Sequence, residues 1–567
     1  MIKRLKIILS LFTLFTFWCY SQLPSGGDEL LRETIRKYGQ VRITIPFPGS
    51  KQVNELSQNV SVSSLRNKTV EVVLSPLTVD WFISQNFKYT VLEAPDSKSI
   101  ITASDIKQAM EWESYPSYTQ YDSIMQSFAG LYPGLCNLDT IGTSIYGKLI
   151  LVLKISDNAG VDEDEPETFY TSSMHGDETG GFILMLRLAD YLLKNYNTDS
   201  RIKNLVDNLE IWINPLANPD GTYRTGNTIS SPTRDNANGY DLNRNFPDPE
   251  LPGMSIQKEN QDMVKFMRGH KFILSANFHS GAEVVNYPWD SRPWYHADDD
   301  WFYRISRKYA DTVHVNSVPG YMTFLENGVT NGYDWYSING GRQDFVTWEL
   351  QGREVTIELD DAYITPVSQL GSLWQYNWRS LLGYLENSLY GIHGLVTDAK
   401  TGDPVVARVL IEGHDKDSSQ VYSDKITGRF VRLLAAGKWD LEFTADGYVD
   451  NHVKGVIVTE GKATELDVEM VKFINPVDTT DTPVPVLYPN PANDILYVVL
   501  PKTLFGTVNV RVYNIKGIKF MDYVEQTEED IPLHIDIKNL PGGVYVLTIR
   551  NSITKITEKC RFVVVRR

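Results

Sequence analysis

The central part of the chain alternates strand-like and helix-like patterns of apolar residues. From about Tyr115 to Gly391, continuously apolar runs such as Leu149 to Ile155 and Phe272 to Phe278 are followed by segments with apolar residues at helical spacing. Continuously apolar strands are typical of a sheet that helices cover on both faces. We therefore predict an α/β domain with a mixed, largely parallel sheet, and we assign residues 106–390 to it.

The segments that flank this domain have shorter elements. Residues 22–105 alternate short strands and helices, which predicts a small α+β unit followed by a linker. Its position ahead of a large domain is typical of a propeptide, with an ordinary accessory domain as the alternative. Short strands separated by turns predict two small β-sandwiches, residues 391–473 and 487–567. Residues 474–486 are rich in Pro, Thr and Asp, which predicts an extended linker.

The first 21 residues have the pattern of an export signal. A basic start precedes an apolar run from Ile7 to about Phe17, which is too short to be a stable membrane span. No other run approaches the length of about twenty apolar residues that a membrane helix needs, so we predict no transmembrane segment. Cys19 could instead carry a lipid, but the bulky Phe17 and Trp18 ahead of it argue against that alternative.

Charge and cysteine content narrow the class of protein. The formal net charge is −17, which argues against a nucleic-acid partner and favours solubility. The chain has three cysteines, at positions 19, 136 and 560, and the first would be removed with the signal. An exported chain without a disulfide framework depends on large apolar cores, and this pattern suits a bacterial source.

His175 and Glu178 form the first candidate for a chemical site. They follow the apolar, strand-like run that ends at Met174, and two glycines and a helical pattern come after them. On such a turn, an imidazole and a carboxylate can converge on one cation. Zinc suits this pair, because a catalytic zinc site needs three protein ligands and an open position for water. Taken alone, such a pair is more often two solvated turn residues.

Further polar residues stand at the ends of other predicted strands. His279 follows the buried run Phe272 to Phe278 and is a candidate third zinc ligand. The segment from Asp241 to Pro247 carries a carboxylate, an amide and a guanidinium, and Arg234 precedes it. Glu358 ends an apolar run, which is a poor place for an unpaired carboxylate. Ligands of α/β folds bind beyond the strand ends, so we expect these side chains to converge.

Six motifs, in this order along the chain, resemble those of the zinc metallocarboxypeptidases. They are Met174–Glu178, Asn218–Gly221, Arg234–Asp248, Asn286–Asp290, Asn331–Tyr336 and Gly340–Asp344. The sequence is most similar to the regulatory subfamily that includes carboxypeptidases D, E, M and N. The resemblance extends from about Tyr115 to Met470, because this subfamily carries a transthyretin-like sandwich after its catalytic domain. It implies a secreted enzyme that binds one zinc ion and releases single C-terminal residues from peptides.

The resemblance also implies roles for individual residues. The zinc ligands would be His175, Glu178 and His279. Asp241 would orient His175 through a hydrogen bond. Glu358 would act as general base and acid, and Arg234 would polarise the scissile carbonyl. The residues that bind the terminal carboxylate of the substrate would be Asn243, Arg244 and Tyr336.

Asp290 predicts which C-terminal residues are preferred. It lies where the basic-specific members of the subfamily carry the acid that pairs with a substrate Lys or Arg. Gln343 matches a residue that lines the same pocket, so the resemblance implies a preference for C-terminal Lys or Arg. Arg342 stands where relatives usually have an uncharged residue. If Arg342 points inward, it would repel a basic substrate or pair with Asp290.

The C-terminal segment has motifs of its own. It resembles the C-terminal sorting domain of the type IX secretion system of Bacteroidota, through Tyr488–Pro491, Val512–Gly517, Leu540–Leu547 and the basic Arg566–Arg567 end. This resemblance implies contact with the type IX secretion machinery and export through the periplasm and outer membrane of a Gram-negative bacterium. The mature protein would be secreted or attached to the cell surface. An ordinary binding module is the alternative for this segment.

Two other functions stay compatible with the sequence. A zinc amidase that acts on cell-wall peptides would use the same metal and the same carboxylate-binding residues. A surface binding protein with an inactive peptidase domain would keep the fold alone. We disfavour the second alternative, because the predicted ligands, the carboxylate-binding residues and Glu358 all occur together.

Overall fold

The computed structural model describes residues 27–92, 100–473, 484–528 and 531–566. The predicted signal, residues 1–21, lies outside the described residues, as does most of the predicted linker 474–486. The chain divides into two units. The first runs to Met470 apart from Gly447–Val449, which belong with Val471–Arg567 to the second. Within the described residues, no helix combines the length and apolar character needed to cross a membrane.

The first unit begins with a small antiparallel sheet. Its strands are β1 (Val41–Pro46), β2 (Ser61–Arg66), β3 (Thr69–Leu74) and β4 (Thr90–Val91), in the order β2-β3-β1-β4. The helices packed with it are α1 (Asp28–Tyr38), α2 (Ser50–Ser57) and α3 (Val79–Ser84). Leu31 of α1, Val53 of α2 and Phe82 of α3 share one apolar core with the sheet. Tyr336, from the large domain, packs at the edge of this core.

The central part of the first unit is built on one eight-stranded sheet. Its strands are β5 (Cys136–Thr143), β6 (Leu149–Ile155), β7 (Glu167–Ser172), β8 (Glu210–Asn214), β9 (Phe272–His279), β10 (Ala282–Tyr287), β11 (Val329–Asn331) and β12 (Arg353–Asp360). Their order is β11-β10-β12-β9-β7-β8-β6-β5. The pairs β7–β8, β7–β9, β9–β12 and β10–β11 are parallel, and the other three are antiparallel. The predicted mixed sheet is confirmed.

Helices cover both faces of this sheet, as predicted. The helices of this part of the chain are α4 (Ile106–Ala109), α5 (Tyr118–Leu131), α6 (Gly180–Asn195), α7 (Ser200–Val206), α8 (Pro219–Thr222), α9 (Lys258–Arg268), α10 (Asp299–Asn316), α11 (Phe324–Gly328), α12 (Gly332–Trp335), α13 (Arg342–Glu349) and α14 (Val367–Leu385). Successive side chains of a strand point to opposite faces. In β7, Tyr170 joins a core with α6 and α14, whereas Phe169 joins a second core with α9 and α13.

A small β-sandwich follows α14 and completes the first unit. Its strands are β13 (Gly391–Asp398), β14 (Arg408–Ile411), β15 (Val421–Tyr422), β16 (Arg429–Arg432), β17 (Gly437–Thr444), β18 (Asn451–Val458), β19 (Ala463–Glu465) and β20 (Val468–Met470). One sheet groups β13, β16, β19 and β20, and the other has the order β15-β14-β17-β18. A buried ion pair joins the sandwich to the large domain, because Arg432 of β16 lies 2.8 Å from Asp298 of the large domain.

The second unit is also built of β-strands. These are β21 (Val486–Tyr488), β22 (Ile495–Val499), β23 (Gly506–Asn514), β24 (Lys519–Thr527), β25 (Leu533–Asp536), β26 (Gly543–Asn551) and β27 (Thr557–Val564). One sheet has the order β21-β22-β25 and the other β24-β23-β26-β27. Alternating residues such as Val508, Val510 and Val512 face a shared core.

One strand of the N-terminal sheet is not predicted by the sequence pattern. β2 has the sequence Ser-Val-Ser-Ser-Leu-Arg, and all of Ser61, Val62, Ser63 and Ser64 are buried. Serine at these positions removes the apolar alternation that marks a half-buried strand. Val62 packs into the apolar core of the small sheet, whereas Ser61 contacts Asp241 of the large domain and Ser63 lines the candidate site.

Candidate active site

The predicted zinc ligands lie at one edge of the large sheet. Because β7 and β9 are parallel neighbours, the turn after β7 meets the end of β9. His175 and Glu178 are on that turn, and His279 is the last residue of β9. Nδ1 of His175 is 2.8 Å from Oε1 of Glu178, and Nδ1 of His279 is 2.8 Å from Oε2. The two Nδ1 atoms are 3.0 Å apart, so all three side chains converge on one point.

The outer nitrogens of both histidines have partners that fix the rings. Nε2 of His175 is 3.0 Å from Oδ1 of Asp241. Nε2 of His279 is 2.6 Å from the amide nitrogen of Asn277, whose oxygen has no partner. Turning this amide over lets its oxygen accept a hydrogen bond from Nε2–H. Both rings then carry their proton on Nε2 and direct the Nδ1 lone pair towards Glu178.

The three side chains fit a zinc ion. Two imidazole nitrogens and one carboxylate form a donor set that zinc prefers, and all three residues are 2 % exposed. Burial lowers the pKa of His279 to about 4, so this ring is neutral at neutral pH and can act as a ligand. Burial opposes ionisation of Glu178, but the two histidines that contact its carboxylate oxygens hold its pKa well below the usual range.

Glu358 lies beside this cluster. β12 is the parallel neighbour of β9, and Glu358 pairs in register with His279. Its Oε2 is buried and has no hydrogen-bond partner. Burial raises the pKa of Glu358 well above the usual range, and the negative charge of Glu178 raises it further.

Arg234 and the predicted carboxylate-binding residues complete the surroundings. Nη1 of Arg234 donates to Oε1 of Glu178 at 3.1 Å, and its Nε donates to Oδ2 of Asp241 at 3.0 Å. A small cavity of about 30 Å³ has a lining that includes the zinc-ligand candidates and Glu358, together with Asn243, Arg244 and Tyr336. A space of this size holds a water molecule or two and excludes a peptide.

Asp290 lines the same cavity. Its Oδ1 accepts hydrogen bonds from Nδ2 of Asn286 at 3.0 Å and from Nε2 of Gln343 at 3.1 Å. A Cβ atom at Gly332 would lie 1.8 Å from this oxygen, so the pocket requires glycine there. Burial and the neighbouring charge of Asp344 raise the pKa of Asp290 to about 8.

Comparison with known proteins identifies the family. The sequence model of the zinc carboxypeptidase family matches residues 121–380. The chain is 33 % identical over 349 residues to carboxypeptidase M of Mus musculus, a match that covers 58 % of this chain and 77 % of that protein. The chain belongs to the zinc carboxypeptidase family.

Further comparisons describe other parts of the chain. It is 31 % identical to the carboxypeptidase N catalytic chain of Homo sapiens, over 61 % of this chain and 83 % of that protein. It is 33 % identical to carboxypeptidase D of Homo sapiens over 63 % of this chain, and the match spans 27 % of that longer protein. A carboxypeptidase regulatory-like domain matches residues 391–471, and a secretion system C-terminal sorting domain matches residues 486–564.

Arg342 does not enter the pocket of Asp290. Its Nη2 donates to Oε2 of Glu354 at 3.0 Å, and both side chains are fully buried. Its guanidinium also lies 4.9 Å from the ring centroid of Phe169, in the core beneath the sheet. The possibility that Arg342 points inward and repels a basic substrate is therefore corrected: the buried carboxylate of Glu354 holds it elsewhere.

The N-terminal sheet covers the cavity, a contact that the sequence pattern does not predict. Nη2 of Arg244 and the hydroxyl of Tyr336 each donate to the carbonyl oxygen of Val62 at 3.2 Å. Ser61 donates through Oγ to Oδ2 of Asp241 at 2.8 Å. A backbone carbonyl of β2 thus engages two of the three side chains that the family resemblance assigns to the substrate carboxylate.

A second contact joins the N-terminal sheet to Asp177, next to the zinc-ligand candidate Glu178. Nη2 of Arg42 lies 2.6 Å from Oδ2 of Asp177, and Nε2 of Gln40 donates to the same oxygen at 2.9 Å. The guanidinium of Arg42 lies 3.4 Å from the ring centroid of Tyr363. The alternation of β1 predicts that Arg42 faces solvent. Docking onto the large domain buries it instead.

Proposed function

We propose that the chain is a zinc-dependent carboxypeptidase that removes single residues from the C-termini of peptides. The observation that carries this proposal is one cavity lined by the zinc donor set, Glu358 and the carboxylate-binding residues. Membership of the zinc carboxypeptidase family supports the reaction class.

We assign the chemical steps to residues of this cavity. Zinc, when bound, acts as a Lewis acid that polarises a carbonyl and lowers the pKa of a water molecule. Glu358 takes a proton from the attacking water and returns it to the leaving amine. Its unpartnered Oε2 supports this role. Arg234 stabilises the negative charge that develops on the scissile carbonyl oxygen.

The carboxylate-binding residues determine where the chain cuts. The guanidinium of Arg244 offers N–H groups in the planar geometry that matches a carboxylate, and Tyr336 adds a hydroxyl donor. Asn243 lines the same space. A terminal carboxylate bound there brings the last peptide bond to the zinc donor set. The substrate therefore loses one residue in each catalytic cycle.

We also propose a preference for C-terminal Lys and Arg. Asp290 supplies a buried carboxylate at the cavity, and Gln343 holds one of its oxygens. A cationic side chain would satisfy this carboxylate, whereas an apolar or acidic side chain would leave it buried without a counter-charge. The pairing of Arg342 with Glu354 removes the competing cation from the pocket.

Hydrolysis of short peptides tests the activity and the preference. The peptides would be identical except for a C-terminal Lys, Arg, Phe or Glu, and each would be incubated with and without a chelator. We expect fastest release of Lys and Arg, loss of activity with the chelator, and recovery on addition of zinc. Preference for Phe or Glu would contradict the assignment of Asp290, and chelator-resistant hydrolysis would contradict the role of zinc.

The same assay separates the two alternative functions. A zinc amidase would hydrolyse a cell-wall peptide in preference to all four ordinary peptides. An inactive binding protein would release no residue from any of them, even after zinc is added and residues 22–105 are removed.

We further propose that residues 22–105 are an inhibitory propeptide. The carbonyl of Val62 competes with a substrate carboxylate for Arg244 and Tyr336. The space left beside it is too small for a peptide. Cleavage at residues 94–106, between the N-terminal sheet and the large domain, would allow the sheet to dissociate from the cavity. Residues 93–99 of this segment lie outside the described residues.

Activity before and after such cleavage tests the propeptide. Cleavage should raise hydrolysis by about 100-fold or more, because a tethered segment competes at an effective concentration of about millimolar. In the uncut chain, Arg42→Ala should raise the basal activity, since it removes the contact with Asp177. Arg32→Ala is the matched control, because Arg32 pairs with Asp80 inside the proposed propeptide and does not reach the large domain through that pair. Equal activity before and after cleavage would contradict inhibition.

Finally, we propose export through the type IX secretion system, with residues 1–21 as the signal for the first membrane. The sorting-domain match at residues 486–564 supports this route, and the product would be secreted or held at the cell surface. Deletion of residues 487–567 should leave the protein in the periplasm, as measured by cell fractionation. Unchanged appearance outside the cell would contradict the proposed route.

A further inference from the structure

Asp344 lies directly behind the Asp290 pocket and has no role in the chemistry described above. Its Oδ1 accepts a hydrogen bond from the backbone N–H of Asp290 at 2.9 Å. Its Oδ2 accepts from the backbone N–H of Ser291 at 2.9 Å and from the Ser291 hydroxyl at 2.6 Å. Asp344 is 7 % exposed, so these bonds form away from bulk water. Both of its oxygens therefore hold the segment that carries Asp290.

A cation on the far side completes this support. Arg292 lies 3.7 Å from Oδ2 of Asp344. Its guanidinium is 4.8 Å from the ring centroid of Trp289 and 4.2 Å from that of Trp348. Cation–π contacts of this kind keep a guanidinium in place in a partly dry environment. The chain of contacts runs from two indole rings through Arg292 to Asp344 and then to Asp290.

Asp344 also ties the pocket to the start of α13. It lies in the first turn of that helix, where a negative charge is favourable. The preceding residue, Gln343, donates to the side chain of Asp290, while Asp344 accepts from its backbone. One helical turn thus fixes both the main chain and the carboxylate of Asp290. The carboxylate of Asp290 is also closely packed, because an added Cβ at Gly332 would lie 1.8 Å from its Oδ1.

We propose that Asp344 is a positioning residue for substrate specificity, which holds the carboxylate of Asp290 where it can meet a cationic substrate side chain. This inference depends on the proposed preference for C-terminal Lys and Arg. Asp344 touches neither the zinc donor set nor Glu358, and it does not line the cavity. Its effect on the reaction passes through Asp290.

The charge of Asp344 has a second consequence. Besides burial, the groups that act on the ionisation of Asp290 are Asp344 and Glu354, which oppose it, and Arg244 and Asn286, which favour it. Two buried carboxylates in one place are harder to ionise than one. Asp344 thereby raises the pH at which Asp290 becomes anionic and can bind a cation. Removing the charge of Asp344 should lower that pH.

The test compares Asp344→Asn with the unchanged protein after cleavage between the proposed propeptide, residues 22–105, and the large domain. The readout is the ratio of kcat/KM for peptides that end in Lys and in Phe, measured across a range of pH. Losing an acceptor for the Ser291 donors should reduce this ratio about tenfold at high pH, mainly through the KM for Lys. The rise of the ratio with pH should move to lower pH. Asp311→Asn, at an exposed ion pair on α10, is the matched control.

The outcomes are distinguishable. If the unchanged protein prefers Lys but Asp344→Asn keeps the same ratio at every pH, the positioning role is wrong. Equal losses for Lys and Phe would also overturn it, because they would indicate a general structural role. If the unchanged protein shows no preference for Lys, the proposed specificity itself fails. Should Asp344→Asn not fold, Ser291→Ala removes one donor to Asp344 and should lower the ratio by a smaller factor.

Discussion

Two buried carboxylates in the same cavity, Glu178 and Asp290, show opposite behaviour. Histidines at 2.8 Å on either side hold the pKa of Glu178 well below the usual range despite burial. Burial and the like charge of Asp344 instead raise the pKa of Asp290 to about 8. The neighbours of Glu178, at the zinc-ligand side of the cavity, therefore favour its ionised form. Among the described residues, none forms an ion pair with Asp290, so a substrate cation can take that place.

This difference separates rate from selectivity. A buried charge without a partner is unfavourable, so a substrate cation gains by pairing with Asp290. That gain is available to cationic C-terminal side chains such as Lys and Arg and not to apolar or acidic ones. The zinc end meets the peptide bond, which all substrates share. Substitutions at the zinc ligands or Glu358 should lower kcat/KM for every substrate. Substitutions at Asp290 should lower kcat/KM for basic substrates alone.

The largest effect is expected for Glu358→Gln. Glutamine keeps the shape of the side chain and cannot accept the proton of the attacking water. We expect kcat to fall by about 10³-fold or more for Lys-ending and Phe-ending peptides alike. Zinc content, measured by mass spectrometry of the metal, should stay at one ion per chain. Full activity in a zinc-loaded variant would refute the role of Glu358.

Asp290→Asn should affect basic substrates selectively. A Lys side chain would then enter the pocket without a counter-charge, and loss of a buried ionic partner costs about 2–5 kcal/mol. We expect kcat/KM for Lys-ending peptides to fall by about 100-fold. The value for Phe-ending peptides should stay the same or rise. A uniform loss for both would remove the distinction between the two ends.

The pH dependence sharpens the same distinction. With a pKa of about 8, Asp290 is mostly protonated at neutral pH and ionises as the pH rises. A substrate Lys stays charged over this range. The ratio of kcat/KM for Lys to that for Phe should therefore rise about tenfold per pH unit below the pKa. A ratio that falls or stays flat as the pH rises would contradict the assignment.

The smallest effect on selectivity is expected for Arg342→Met. Arg342 pairs with Glu354 in the core, so this change leaves a buried carboxylate without its partner. We expect a loss of about 3–5 kcal/mol in the free energy of unfolding. The Lys-to-Phe ratio should change by less than about twofold, which corresponds to under about 0.4 kcal/mol. A large change in the ratio would place Arg342 in the pocket after all.

The zinc donor set can be predicted from the sequence more readily than the contact of the N-terminal sheet with the cavity. His175 and Glu178 share one turn, and His279 ends a neighbouring strand, so the order of parallel strands brings them together. The contact of Val62 with Arg244 has no such signal, because a backbone carbonyl carries no sequence information. Nor does the serine-rich pattern of β2 indicate a buried strand, since Ser61 and Ser63 face the large domain.

The direction of Arg342 was equally inaccessible from the sequence. Its motif position alone allows the side chain to enter the pocket or to turn into the core. The choice depends on Glu354, which lies at the start of an apolar strand and needs a buried cation. Pairing between residues of different elements requires the fold, and the local pattern of either element does not contain it.

The most direct test of the central claim uses one peptide in two forms, ending in Lys with a free carboxylate and in Lys with an amide. Both would be incubated with the zinc-loaded protein after removal of residues 22–105. The masses of the products would be measured by mass spectrometry. The account predicts that the free acid loses its terminal Lys and that the amide stays intact, because Arg244 and Tyr336 bind a terminal carboxylate. Cleavage of the amide at a comparable rate, or cleavage inside either peptide, would contradict it.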